Sequence, residues 1–242
     1  MCTVTFIPAS DKVFITHNRD EKSARSRAIP PKQYVVAGNR LLFPRDGHAG
    51  GSWIALHENG NAAVLLNGGF IKHTHQPPYS KSRGLAFLDI VAADDLYTSL
   101  RKTVLQGIEP FTCILWNDSD LHEARWDGQQ KHIKQLDAAV AHTWSSVTLY
   151  DEAVIAKRSA WFAHWLQQHP HPSIEDITRF HLFAGEGDTH NDLRMNRDGI
   201  MLTVSVTAME ITPRSGVMQY FDLQDNSSHV QELLFTKATV TK

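Results

Sequence analysis

Thr3-Val4-Thr5-Phe6-Ile7 and Lys12-Val13-Phe14-Ile15-Thr16, separated by Pro8-Ala9-Ser10-Asp11, are two β-branched and aromatic runs around a turn. That arrangement predicts an N-terminal β-hairpin. Asn18-Arg19-Asp20-Glu21 follows at once and reads as the polar loop by which the chain leaves the hairpin. Met1-Cys2 lies just before the first run, so a hairpin over residues 3 to 16 returns Arg19 and Asp20 toward position 2.

Further along, Ile29-Pro30-Pro31 must be extended or irregular, because proline excludes the helical region for its predecessor. Strands are expected after the glycines of Gly50-Gly51-Ser52-Trp53-Ile54-Ala55-Leu56, and again at Ala62-Ala63-Val64-Leu65-Leu66 beyond the Asn59-Gly60 turn. Between Arg83 and Gln106, apolar residues recur at gaps of three and four, which predicts amphipathic helix in two pieces broken near Asp94-Asp95. Phe111–Trp116, Leu121–Trp126 and His132–Leu136 return to β. A helix is expected over Glu152–Gln168, stopped by Pro170 and Pro172, and a second one capped by Ser173 runs to Phe183. Ile200–Leu223 reads as strands around a turn at Pro213–Gly216. This order is not the alternation that builds a parallel doubly wound sheet; it suits antiparallel sheets with helices packed outside. No repeat or linker divides the chain, so one domain over 1–242 is expected.

The 242 residues are 42% hydrophobic, and 24 basic residues nearly cancel 26 acidic ones. Charges are not blocked by sign, so no electrostatic footprint for nucleic acid is present and no nucleic-acid partner is expected. No apolar run is long enough for a membrane span. The N-terminus lacks the basic and apolar regions of a signal peptide, and a cytoplasmic location is expected. Cys2 and Cys113 are the only cysteines and are read as free thiols in a reducing compartment.

Cys2 is where chemistry is expected. Its side chain is small enough for the initiator methionine to be removed, which leaves a thiol and a free α-amine on one residue. An α-amine with a pKa of about 7.7–8.0 serves as a general base at neutral pH, so nucleophile and base come together. Arg19 would favour the thiolate electrostatically, and Asp20 would pair with the ammonium. Taken alone, Cys2 reads as a small residue beside a start codon, and residues 18–21 as a solvated turn.

Together, Met1-Cys2, the hairpin and Thr16-His17-Asn18-Arg19-Asp20-Glu21 resemble the NRDE family, also called the transport-and-Golgi-organisation protein 2 family. The resemblance extends to Gly50-Gly51-Ser52-Trp53-Ile54-Ala55 with Glu58-Asn59-Gly60, to Leu65-Leu66-Asn67 and to Ser82-Arg83-Gly84. It implies an α+β fold, a four-layer αββα sandwich of two antiparallel sheets, as in N-terminal-nucleophile (Ntn) hydrolases. It also implies Cys2 as nucleophile, Arg19 and Asp20 as its partners, and Asn67 as an oxyanion donor at the end of a strand beside the first one. Residue chemistry alone also allows Asn67 as a turn former ahead of Gly68-Gly69.

Two positions depart from the choloylglycine-type pattern to which that family is related. Ala141-His142-Thr143-Trp144-Ser145-Ser146 puts Trp144 or Ser145 where an asparagine is expected, and no arginine lies in Leu202–Thr207 around Val204. The implied activity is a cysteine amidohydrolase acting on a small-molecule amide or acyl ligand; the alternative is a non-enzymatic carrier or trafficking protein for lipid or haem on the same scaffold. No cofactor is expected. Fourteen histidines raise the question of metal, but His73-Thr74-His75 precedes Gln76-Pro77-Pro78 and reads as loop, with no third ligand at a recognisable spacing, so no metal site is expected. Trp161, Phe162 and Trp165 are read as core, and Cys113 as a buried small residue in a strand. Oligomeric state is not encoded in any of these features.

Overall fold

The computed structural model describes residues 3–236. β1 (Thr3–Pro8) and β2 (Val13–Lys22) form the expected antiparallel hairpin, with Thr3 opposite Asn18. β2 does not end at Thr16: Asn18-Arg19-Asp20-Glu21, expected as a loop, is strand. The cause is tertiary. β12 (Met201–Ile211) pairs with β2 along its length, Val206 opposite Asn18 and Ser205 opposite Arg19, and supplies a backbone ladder that local propensity does not foresee.

The first sheet runs β10 (His142–Ser145), β1, β2, β12, β13 (Ser215–Asp222), β14 (Ser227–Leu234), with β11 (Asn196–Arg197) alongside β12. The second is a meander in chain order: β3 (Ile29–Val36), β4 (Asn39–Arg45), β5 (Ile54–His57), β6 (Ala62–Asn67), β7 (Phe111–Asn117), β8 (Asp120–Trp126) and β9 (Lys131–Leu136). Every pairing in both sheets is antiparallel.

Alternation along β2 sets the layers. Val13 and Ile15 enter a core shared with Leu56, Leu65 and Leu115 of the second sheet. Phe14, on the opposite face, packs with Phe162, Ile177 and Phe180 of the helices α3 (Glu152–Gln168) and α4 (Ile174–Phe183). The helices α1 (Arg83–Val91) and α2 (Leu96–Lys102) cover the far face of the second sheet, α1 on β5 and β6 and α2 on β7. Helix, sheet, sheet and helix are the four layers expected. The breaks are as read: Asp95 caps α2 by accepting from Thr98 N–H, and Ser173 and Asp176 form a capping box at α4. Phe162 is buried, with Trp161 and Trp165 packed against the same cluster. Cys113 is fully buried in β7.

One strand placement differs from expectation. β6, which ends at Asn67, lies in the second sheet between β5 and β7, not beside β1. Ala62–Leu66 is buried on both faces and pairs with the buried, mostly apolar Phe111–Leu115. Among the described residues, no helix is long and apolar enough to cross a membrane.

Candidate active site

Cys2 lies outside the described residues. Of the other three residues expected at the site, Arg19 and Asn67 line one cleft from different sheets, and Asp20 lies on the other face of β2. The end of β2 carries Arg19 and Asp20 just past the Thr3–Asn18 pair, one on each face of the strand. Arg19 faces the second sheet and, with Asn67 from the end of β6, lines a cleft of about 360 Å³. Asn67 therefore shares the cleft with Arg19 from the facing sheet rather than from a neighbouring strand. Its backbone oxygen accepts from Ser146 Oγ at 2.8 Å, and its side-chain Oδ1 is buried with no partner among the described residues.

Arg19 is 3% exposed. Its guanidinium lies 4.2 Å from the Trp53 ring centroid and donates to Asp46 Oδ2 at 2.9 Å. Burial lowers its pKa, but a guanidinium stays charged at any physiological pH. Burial would raise the Asp46 carboxyl, yet the Ala49 N–H, Arg25 and the His48 N–H outweigh it and hold the group below the ordinary carboxylate value.

Asp20, on the helix-facing side, is gripped by two hydroxyls. Thr203 Oγ1 donates to Oδ1 at 2.5 Å, and Tyr150 OH donates to Oδ2 at 2.7 Å. A register shift between Thr203 and Ser205 in β12 turns Thr203 to that side. Arg158 of α3, 1% exposed, stacks 3.6 Å from the Tyr150 ring centroid and donates to Thr3 Oγ1 at 2.6 Å and to the Asp192 carbonyl at 2.7 Å. Behind them, Asn18 donates to the His181 and Leu193 carbonyls, and His181 bonds Asn18 Oδ1 and, at 2.8 Å, Thr5 Oγ1. Burial, together with the Arg158 charge, pushes the His181 imidazole down to about 3. His17, on the Arg19 face, is likewise lowered by burial, with the Arg19 charge acting in the same direction.

The remaining motifs resolve into a contact and a brace. Gly51 and Gly84 touch: a Cβ on Gly51 would stand 2.4 Å from the Gly84 carbonyl carbon, and Ser52 N–H donates to Gly84 O at 3.2 Å. This seats the start of α1 on the rim of the cleft, where Ser82 caps the helix by accepting from Leu85 N–H. Glu58 stands away from the cleft and braces β4 by accepting from Arg40 N–H and from Arg40 Nε at 2.7 Å.

The model of the family described as Transport and Golgi organisation 2 matches residues 1–207. The chain belongs to that family. No curated protein matches it in sequence. Solved structures that share the fold of this Transport and Golgi organisation 2 chain include the C2A mutant of a conjugated bile acid hydrolase from Clostridium perfringens, with TM-score 0.60 and 9% identity over 96% of this chain and 92% of that one. The Caenorhabditis elegans ortholog of N-acylethanolamine-hydrolyzing acid amidase aligns with TM-score 0.58 and 12% identity over 86% and 92%. Penicillin V acylase from Agrobacterium tumefaciens aligns with TM-score 0.51 and 11% identity over 99% and 93%. The fold is therefore that of the Ntn hydrolases.

Within this family member, the segment expected to hold a second asparagine is otherwise engaged. Trp144 Nε1 donates to Glu123 Oε2 of the second sheet at 2.8 Å, and Ser145 pairs with Thr3 in the ladder; Ser146 is the residue that reaches Asn67. No arginine stands on β12, but Arg158 brings a buried guanidinium to Thr3 from α3. Sequence reading missed Arg158, Tyr150 and Thr203. A signal existed for Arg158: it sits at four-residue spacing between Val154 and Phe162, a charge within the apolar stripe of its helix.

Proposed function

We propose that the chain is an N-terminal cysteine hydrolase acting on linear carbon–nitrogen amide bonds. With Met1 removed, the Cys2 α-amine takes the thiol proton and the thiolate attacks the amide carbonyl carbon. The Asn67 side-chain amide stabilises the resulting oxyanion, a contribution of about 2.7–4 kcal/mol for one such donor. Collapse breaks the carbon–nitrogen bond, the amine leaves with the proton carried by the α-ammonium, and a thioester remains. Water activated by the α-amine then attacks the thioester, releasing a carboxylic acid and restoring the thiol.

The observation that carries this reading is the meeting of Arg19 and Asn67, from different sheets, in one cleft. The Asp20 carboxylate, held between Tyr150 and Thr203, suits the orientation of an ammonium group. The named activities of the three structural relatives (hydrolase, amidase, acylase) agree with it. The second reading, a non-enzymatic ligand carrier, draws on the engagement of Trp144 with Glu123, which leaves that segment without an amide donor.

Intact-mass spectrometry of the natively expressed protein, before and after a limiting dose of a thiol-directed electrophile, separates the two. Loss of Met1 with one fast adduct, abolished by Cys2→Ala, is the expected result. A retained Met1 with a sluggish Cys2 would sink the self-activated nucleophile and leave the carrier.

A further inference from the structure

Thr3, the residue joined to Cys2, is held by an arginine from outside the sheet. Arg158 of α3 donates through Nη1 to Thr3 Oγ1 at 2.6 Å, through Nη2 to the Asp192 carbonyl at 2.7 Å and through Nε to the Asn191 carbonyl at 3.1 Å. The guanidinium also lies 3.6 Å from the Tyr150 ring centroid, and Tyr150 OH donates to Asp20 Oδ2. One planar group therefore touches both the neighbour of the expected nucleophile and the residue that holds Asp20. The rigid fork of an arginine makes bonds in several directions at once, a geometry that the compact ammonium of a lysine does not reproduce.

The carbonyls that fix Arg158 are themselves anchored. The Asp192 carboxylate accepts from Glu186 N–H and Gly187 N–H. The next residue, Leu193, donates to the Ala184 carbonyl and accepts from the Asn18 side chain. Asn18 is the strand partner of Thr3, so both halves of that pair are located by side-chain bonds, immediately before Arg19 and Asp20. Packing alone does not account for a charge at position 158. Phe162, one turn along α3, covers the same sheet as a buried apolar residue. Arg158 is equally buried, and each hydrogen bond it makes among the described residues goes to a neutral oxygen. A cation buried in this way carries a desolvation cost that an apolar side chain of similar volume avoids. Its charge is felt nearby, where it helps to lower the pKa of His181.

We propose that Arg158 is a positioning residue for Cys2: by fixing Thr3 and Tyr150 with one guanidinium, it holds the N-terminal residue and the Asp20 carboxylate in the arrangement that lets the α-amine take the thiol proton. This role deepens the amidohydrolase reading and rests on it for the identity of the nucleophile. The other charged and titratable groups at this end of the hairpin are His17, Arg19 and Asp20 of β2, His181 of α4, and Arg197 of β11, whose guanidinium lies 5.2 Å from the Tyr150 ring centroid. Replacing Arg158 by a neutral residue leaves these in place and removes one cation. An amine and a thiol beside Thr3 then both give up their protons at higher pH.

The rate of Cys2 labelling by iodoacetamide is measured as a function of pH in protein lacking Met1, with adducts assigned by peptide mass mapping and stability followed by chemical denaturation. Thr3→Val keeps the shape of the side chain and loses its hydroxyl; it should slow labelling about tenfold and leave the midpoint pH in place. Arg158→Met should slow labelling at least as much and raise the midpoint by about one pH unit, whereas Arg158→Lys, which keeps the charge, should slow it without that rise. The double variant Thr3→Val with Arg158→Met should be no slower than Arg158→Met, because the hydroxyl acts only through the guanidinium. An unchanged rate in Thr3→Val, additive losses in the double variant, or a slower Arg158→Met with the wild-type midpoint would overturn the role. If Arg158→Met does not fold, Thr3→Val decides alone. Sluggish labelling of the wild-type protein removes the nucleophile and this role with it; fast wild-type labelling that the variants leave untouched removes the role and spares the nucleophile.

Discussion

His181 makes the fold acid-sensitive, and its share is calculable. It is fully buried, with Nδ1 against Asn18 Oδ1 and Nε2 against Thr5 Oγ1. A neutral ring satisfies both contacts by donating from Nδ1 and accepting from the Thr5 hydroxyl. Its folded pKa is about 3, against 6.5 for an unburied imidazole. The folded ring is therefore neutral at pH 7 and at pH 5, while the unfolded chain takes up a proton there as the pH falls below 6.5. Unfolding binds a proton throughout that window, so this contribution is fully present above pH 6.5 and declines as the pH drops toward the folded pKa. At pH 5, about 1.5 units below the unfolded value, the loss is about 2 kcal/mol at 1.36 kcal/mol per unit. His17, also lowered by burial, acts in the same direction. Urea unfolding followed by tryptophan fluorescence at pH 7 and pH 5, in wild type and His181→Gln, measures it. Wild type should lose about 2 kcal/mol more than the variant between the two pH values. Identical pH slopes would refute a neutral buried imidazole at 181.

Other expectations follow from the same geometry. Gly51→Ala should destabilise by about 1–3 kcal/mol, read as a fall in Tm, because the new methyl meets the α1 backbone rather than a mobile side chain. Tyr150→Phe removes the donor to Asp20 Oδ2 inside the protein and should cost about 1–3 kcal/mol in chemical denaturation; no loss would mean that Asp20 does not depend on this hydroxyl. Cys113, whose thiol burial pushes above its ordinary range, should stay unlabelled by thiol reagents at pH 8 in the folded Cys2→Ala protein, and rapid labelling there would contradict its burial. If the proposed chemistry holds, Asn67→Ala should lower kcat by about 10²–10³ with little change in KM, in steady-state assays on an amide that the wild-type protein cleaves.

Local pattern and backbone chemistry determined much of this protein. The hairpin over residues 3 to 16, the helix over Glu152–Gln168, the capping box at Ser173 and the break at Asp94-Asp95 rest on interactions between residues a few positions apart, which is why they were legible. The motifs around Arg19, Asp20 and Asn67 were legible as motifs, and two of these residues share the cleft. What only the tertiary structure decided depends on partners distant in the chain. Residues 18–21 are strand because β12, nearly two hundred positions later, supplies their ladder. Asn67 shares a cleft with Arg19 from the opposite sheet because β6 is buried on both faces and pairs with the mostly apolar β7. Gly51 and Gly84 acquire their meaning only when the start of α1 is pressed onto the β4–β5 connection, and Arg158 only when its helix lies across β1. Hydrophobic periodicity specifies which face of an element is buried. It does not specify which element covers that face, and the site is assembled by that second choice.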